Sequence, residues 1–159
     1  MSDAPIITAL PNVPAVPPEP TQDERTMAVL AHALQMVGGW IAPLIIFFVK
    51  SDSKFVRFHA LQVLMLQGCY FLAMIGMMIV WFVVIIATAF GAVASQGHPN
   101  PAPPLGFFIV FPFFWLFIMG MWVMVLVLTI MFAIKAGRGE WAEYPVLGKW
   151  AKSILKINR

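Results

Sequence analysis

Two pairs of side chains in this chain repeat one spacing: His32 with Gln35, and His59 with Gln62. On a helix, residues three apart share a face, so each pair presents an imidazole and a carboxamide side by side. Both pairs sit within or at the mouth of apolar runs, where polar groups are costly and mark either a polar path or hydrogen bonds between helices. A neutral imidazole donates through one ring nitrogen and accepts through the other, and a carboxamide does both. Four such groups could pass a proton or a polar solute, or tie two helices together. Arg57, two residues before His59, disfavours the charged imidazolium and leaves His59 neutral.

Other chemistry finds less support. His32, His59, His98, Cys69 and eleven methionines could suit copper, but no tight ligand spacing joins them, and methionine is an ordinary packing residue. No metal is expected. The single cysteine, Cys69, excludes an internal disulfide framework and a thiolate zinc site, and within its apolar run it reads as a small buried hydrophobe. Glu140, Glu143 and Tyr144, beside Lys135 and Arg138, read as solvated charges and an aromatic belt. With no nucleophile–base pair, phosphate-cradling loop or cofactor fingerprint, neither catalysis nor a cofactor is expected.

The elements that must carry these residues are membrane elements. Of 159 residues, 61% are hydrophobic and 11% charged, far from the globular norm. A net charge of +3 could suggest nucleic acid, but the basic residues flank apolar runs instead of gathering on a polar face, so anionic lipid headgroups are their counterpart. Residues 1–23 hold six prolines between Pro5 and Pro20 and lack the early positive charge and apolar core of a signal peptide, so they predict a disordered, proline-rich leader.

The membrane domain is expected over residues 24–146, as an all-α unit of three transmembrane helices. The first follows Thr21–Glu24, where Thr21 or Asp23 can cap it, and runs to Val49, about 37 Å of helix that Gly38, Gly39 and Pro43 should kink. The second, Phe55 to Val93, is about 58 Å long, nearly twice a hydrocarbon core of roughly 30 Å. Phe55–Gln67 is therefore an interfacial or steeply tilted approach, and Gly68 to Ala92 the span proper. Small residues at Ala87, Gly91 and Ser95 would let helices approach closely. A loop, Ser95–Gly106, leads to the third span, Phe107–Ile134, with Pro112 in its first turn. Residues 147–159 form a short amphipathic helix, with Leu147, Trp150, Ala151, Ile154 and Leu155 opposite Lys149, Lys152, Lys156 and Arg159. Lys54, Arg57, Lys149, Lys152 and Lys156 are the expected headgroup contacts. Three spans would put the first connection and the carboxyl tail, with nine Lys and Arg, across the membrane from an amino tail with one, so the amino terminus is expected outside and the carboxyl terminus in the cytoplasm.

Phe55-Val56-Arg57-Phe58-His59-Ala60-Leu61-Gln62 resembles a segment shared by small bacterial membrane proteins of unknown function and the twenty-kilodalton-type subunit of the chloroplast Tic import translocon. Lys135–Trp141 with Tyr144–Gly148 is similar to the ending of the bacterial members, and Ala31-His32 before a Gly pair and Ala42–Ile45 to their first helix. The resemblance implies a multi-pass protein of a bacterial inner membrane. The plastid members, associated with a protein-conducting channel, carry four spans where three are expected here. The sequence thus points to a non-catalytic packing or assembly partner in a membrane complex or homo-oligomer, with no nucleic-acid partner. The alternative is a transport or channel component whose path is lined by His32, Gln35, His59 and Gln62.

Overall fold

The computed structural model describes residues 18–94 and 105–157; the bulk of the proline-rich leader, His98 and Arg159 lie outside the described residues. These form five helices: α1 (Gln22–Gly38), α2 (Ile41–Val49), α3 (Lys54–Ala94), α4 (Leu105–Gly137) and α5 (Leu147–Leu155), with no strand among the described residues.

α1 opens on a reciprocal cap. The Glu24 N–H donates to Thr21 Oγ1 at 3.3 Å while the Thr21 N–H donates to Glu24 Oε2 at 2.8 Å, satisfying two donors that a helix start leaves free. Its far end departs from the expected kink. Gly39 adopts φ 55, a left-handed conformation that glycine takes at little cost, and the chain reverses there. Pro43 then falls in the first turn of α2, where its missing donor is harmless, so it begins a helix instead of bending one. The reversal brings α2 back along α1: Ala31 packs with Ile46, Val56 and Ala60, and Lys50 at the end of α2 reaches Asp23 at the start of α1, Nζ to Oδ2 2.6 Å. The expected first span is therefore a helical hairpin of 17 and 9 residues, and neither arm is among the helices long and apolar enough to cross a membrane.

Two helices are long and apolar enough to cross, α3 and residues 108–137 of α4. α3, at 41 residues or about 61 Å, divides where its polar residues end. Every buried residue on it lies between Phe55 and Leu66, and its far half packs along α4, with Trp81 stacked on Phe114 at 4.6 Å. The molecule thus has a broad base, where α1, α2, α5 and the segment 138–146 surround the near ends of α3 and α4, and a narrow distal hairpin. Pro112 lies in the second turn of α4, which begins two residues earlier than expected.

Both described ends of the chain belong to the base. Arg25 lies so close to Gly139 that a Cβ there would come within 2.9 Å of its Nε, and Lys156 and Ile157 share a groove with Pro18, Lys54 and Phe55. The expected placement of amino and carboxyl ends on opposite sides does not survive this, because the Gly38–Gly39 reversal removes one crossing. From Gly68 to Ile134 the sequence holds no Lys, Arg, Asp or Glu, so the nine Lys and Arg among the described residues are all on the base.

Candidate functional site

Inside the base, α1 and α3 bring His32 and His59 face to face, both fully buried, with His32 Nε2 3.3 Å from His59 Nδ1. The helix pitch that puts His32 inward also turns Ala28, Ala31 and Gln35 inward, which is why four α1 residues share one buried stripe. The segment after α4 completes the site. Gly139, at φ 79, turns the chain back along α3, so that residues 140–144 lie alongside His59 and Gln62.

The hydrogen bonds of this cluster fix its protons. The Glu140 carbonyl, 3.1 Å from His59 Nε2, can only accept, so Nε2 carries the proton and Nδ1 is a bare acceptor. His59 Nδ1 then takes the proton of His32 Nε2, and His32 Nδ1 accepts from the Tyr144 hydroxyl at 3.3 Å. The chain Tyr144 to His32 to His59 to the Glu140 carbonyl is one directed relay of neutral groups. Around it stand Phe55, 4.7 Å from the His59 ring, and Phe132, whose ring lies 3.9 Å from that of Tyr144. Burial pushes the Tyr144 phenol above its ordinary range, so it remains a donor.

Gln62 is paired with backbone. Its Nε2 donates to the Ala142 carbonyl at 3.2 Å and its Oε1 accepts from the Tyr144 N–H at 2.7 Å. Gln35 faces α4, donating to Thr129 Oγ1 at 2.7 Å and accepting from Gln67 at 3.5 Å. The two expected pairs therefore do not meet as one seam. The histidines meet each other, Gln62 holds the returning tail, and Gln35 borders a cavity of about 310 Å³ lined also by Gln67, Tyr70, Gly39 and Trp122.

Tyr144 is the residue that sequence reasoning missed. Placed in a solvated belt by its acidic neighbours, it is 2% exposed and begins the relay. The signal was its position six residues after Lys-Ala-Gly-Arg, where glycines permit a reversal. Cys69 is exposed on the bare part of α3, not buried. No group of three or more potential metal ligands occurs among the described residues.

Of the basic residues singled out earlier, Lys152 turns inward to Glu143, Nζ to Oε1 2.5 Å, while Lys149 and Lys156 remain exposed. The Arg57 guanidinium lies over the Phe47 ring at 4.7 Å with its Nε making no hydrogen bond. Lys54 sits exposed at the head of α3.

An all-helical membrane protein, with a two-helix hairpin rising from a hydrogen-bonded base, is the class that fold and site define. Residues 23–151 match the MamF/MmsF family, the magnetosome magnetite crystal formation proteins, and the chain belongs to that family as a membrane protein of magnetosome formation. The expected kinship with the Tic translocon subunit is thereby corrected: the family matched is MamF/MmsF, and the segments that suggested the kinship, Phe55–Gln62 and Lys135–Gly148, pack against each other in the base. No curated protein and no solved structure gives a significant match.

Proposed function

We propose that this chain is a non-catalytic assembly partner of the magnetosome membrane, working beside other copies of itself or other membrane proteins where magnetite crystals form. The observation that carries the reading is the relay from Tyr144 to the Glu140 carbonyl: it is buried, ends in a carbonyl that cannot give up a proton, and leaves its histidines paired. His32, His59 and Gln62 thus serve packing. Three further assignments belong to the proposal. The base faces the cytoplasm, since Lys and Arg accumulate on that side of bacterial membranes. Lys54, Arg57, Lys149 and Lys156 contact anionic headgroups, with Lys152 held back by Glu143. The domain limits are 24–146 for the membrane unit and 147–159 for the interfacial helix, with 1–23 as leader.

Two measurements test it. In a Cys69→Ala background, Pro20→Cys and Ile157→Cys should both react with an impermeant thiol reagent from the cytoplasmic side, and reaction from opposite sides would sink the topology. In mild detergent the purified protein should have a mass above that of one chain plus its micelle; a lone monomer would sink the assembly role.

The cavity beside Gln35 and Gln67 favours a second reading, in which a polar path starts there. Gln35→Cys reacting with a small water-soluble thiol reagent, and a solute flux that Gln67→Leu abolishes, would establish it.

A further inference from the structure

The base and the distal hairpin differ in width, and that difference falls along the membrane normal. Four helices, α1 to α4, run side by side in the base with α5 against them, whereas α3 and α4 continue alone. At about 80 Å² for a helix some 10 Å across, the base displaces roughly twice the area of the distal part. Beyond Gln67, α3 runs on for 27 residues, about 40 Å, enough to cross the hydrocarbon core without the base, so the base widens the molecule at the interface of one leaflet.

The outer faces of the added elements are apolar and bare. Val37 at the tip of α1 is 90% exposed, Ile45, Phe48 and Val49 line the outside of α2, and Trp150 and Ile154 form a strip along α5 at 60% and 61% exposed. These faces continue onto the bare sides of α3 and α4, and they are edged by Lys54, Lys149 and Lys156. Continuity with the spans and a cationic margin identify the occupant as the lipid of one leaflet, its acyl chains on the apolar faces and its anionic headgroups on the lysines.

We propose that the chain is a one-leaflet wedge, which gathers on membrane curved convexly toward its base and favours that curvature. An inclusion broad in one leaflet and narrow in the other fits where the first leaflet is stretched relative to the second, and the mismatch is relieved as the membrane bends away from the base. The inference rests on the base occupying a single side.

The test pulls thin tubes from giant vesicles of neutral and anionic phospholipid carrying the full chain, with a dye on Cys69 and the orientation read by protease access to the carboxyl tail. With the base on the outer leaflet, protein density in the tube relative to the flat vesicle should exceed that of a lipid dye by about twofold or more; with the base inside, it should fall below it. This reversal is read on the unsubstituted chain, so it does not depend on a variant folding. W150K/I154K, altering only exposed residues of α5, should lower the enrichment. Equal partition in both orientations would overturn the proposal, as would a second copy seated on these faces in place of lipid, seen as a stable dimer with no sorting. Failure of the topology itself would appear separately, as amino and carboxyl ends on opposite sides.

Discussion

Gln62 on α3 holds the main chain of Tyr144, 82 residues later, through a 2.7 Å hydrogen bond from the Tyr144 N–H to its side-chain oxygen. The same carboxamide donates to the Ala142 carbonyl, so one side chain satisfies two backbone groups of a segment that has no regular partner strand. Gln62→Leu keeps the volume and removes both bonds, leaving a buried N–H and a carbonyl unpaired. We expect a loss on the order of 3 kcal/mol in denaturant unfolding of the purified protein in detergent, and faster proteolysis after Gly139.

The terminal carbonyl of Glu140 dictates both imidazole tautomers. Nitrogen-15 spectra of the histidines should show His32 and His59 neutral, each protonated at Nε2 and bare at Nδ1. A proton on Nδ1 of either ring would contradict the relay. Tyr144→Phe removes only the first donor of the relay and should cost about 1 kcal/mol, whereas Tyr144→Ala also empties the space against Phe132 and should cost about 4 kcal/mol.

Gly148 is where α5 meets the returning tail. A Cβ there would lie 2.5 Å from the Cβ and 2.9 Å from the Cα of Glu143, too close for either to stay. Gly148→Ala should destabilise by about 2 kcal/mol or more and release α5, read as increased amide exchange in residues 147–155. Gly120→Ala meets nothing within 4 Å and serves as the neutral comparison.

Acid should loosen the seam between α1 and α3. Ser53 Oγ donates to Glu24 Oε1 at 2.6 Å, and this bond, with the capping bonds of Thr21, holds the Glu24 carboxyl below its ordinary pKa. A depressed folded pKa means that the contribution is fully present above the unfolded value of 4.5 and is lost as pH falls through the folded value. The melting temperature should therefore drop on acidification below that range, and Glu24→Gln should flatten this part of the profile.

Sequence reasoning reached the helices and the buried polar types more easily than their partners. The division of α3 near Gly68 follows from length and polarity, and burial ends there at Leu66. His32 and His59 were identifiable because an apolar helix has few reasons to carry an imidazole. What periodicity cannot convey is direction: Gly38, Gly39 and Pro43 signal a break, yet a bend and a full reversal share that signature, and only the packing of Ala31 on Ile46 distinguishes them. Tyr144 was hidden for a related reason, since its burial arises from a return of the chain that local composition does not record.

The tail that Gln62 and His59 hold is synthesised after α1 to α4, with α5 following it. Until residues 140–144 emerge from the ribosome, α1 to α4 are all made, but Gln62 and one nitrogen of His59 face apolar surroundings without partners. A chain cut before residue 140 therefore keeps in its base polar groups that the finished chain satisfies, and the tail is what closes the base.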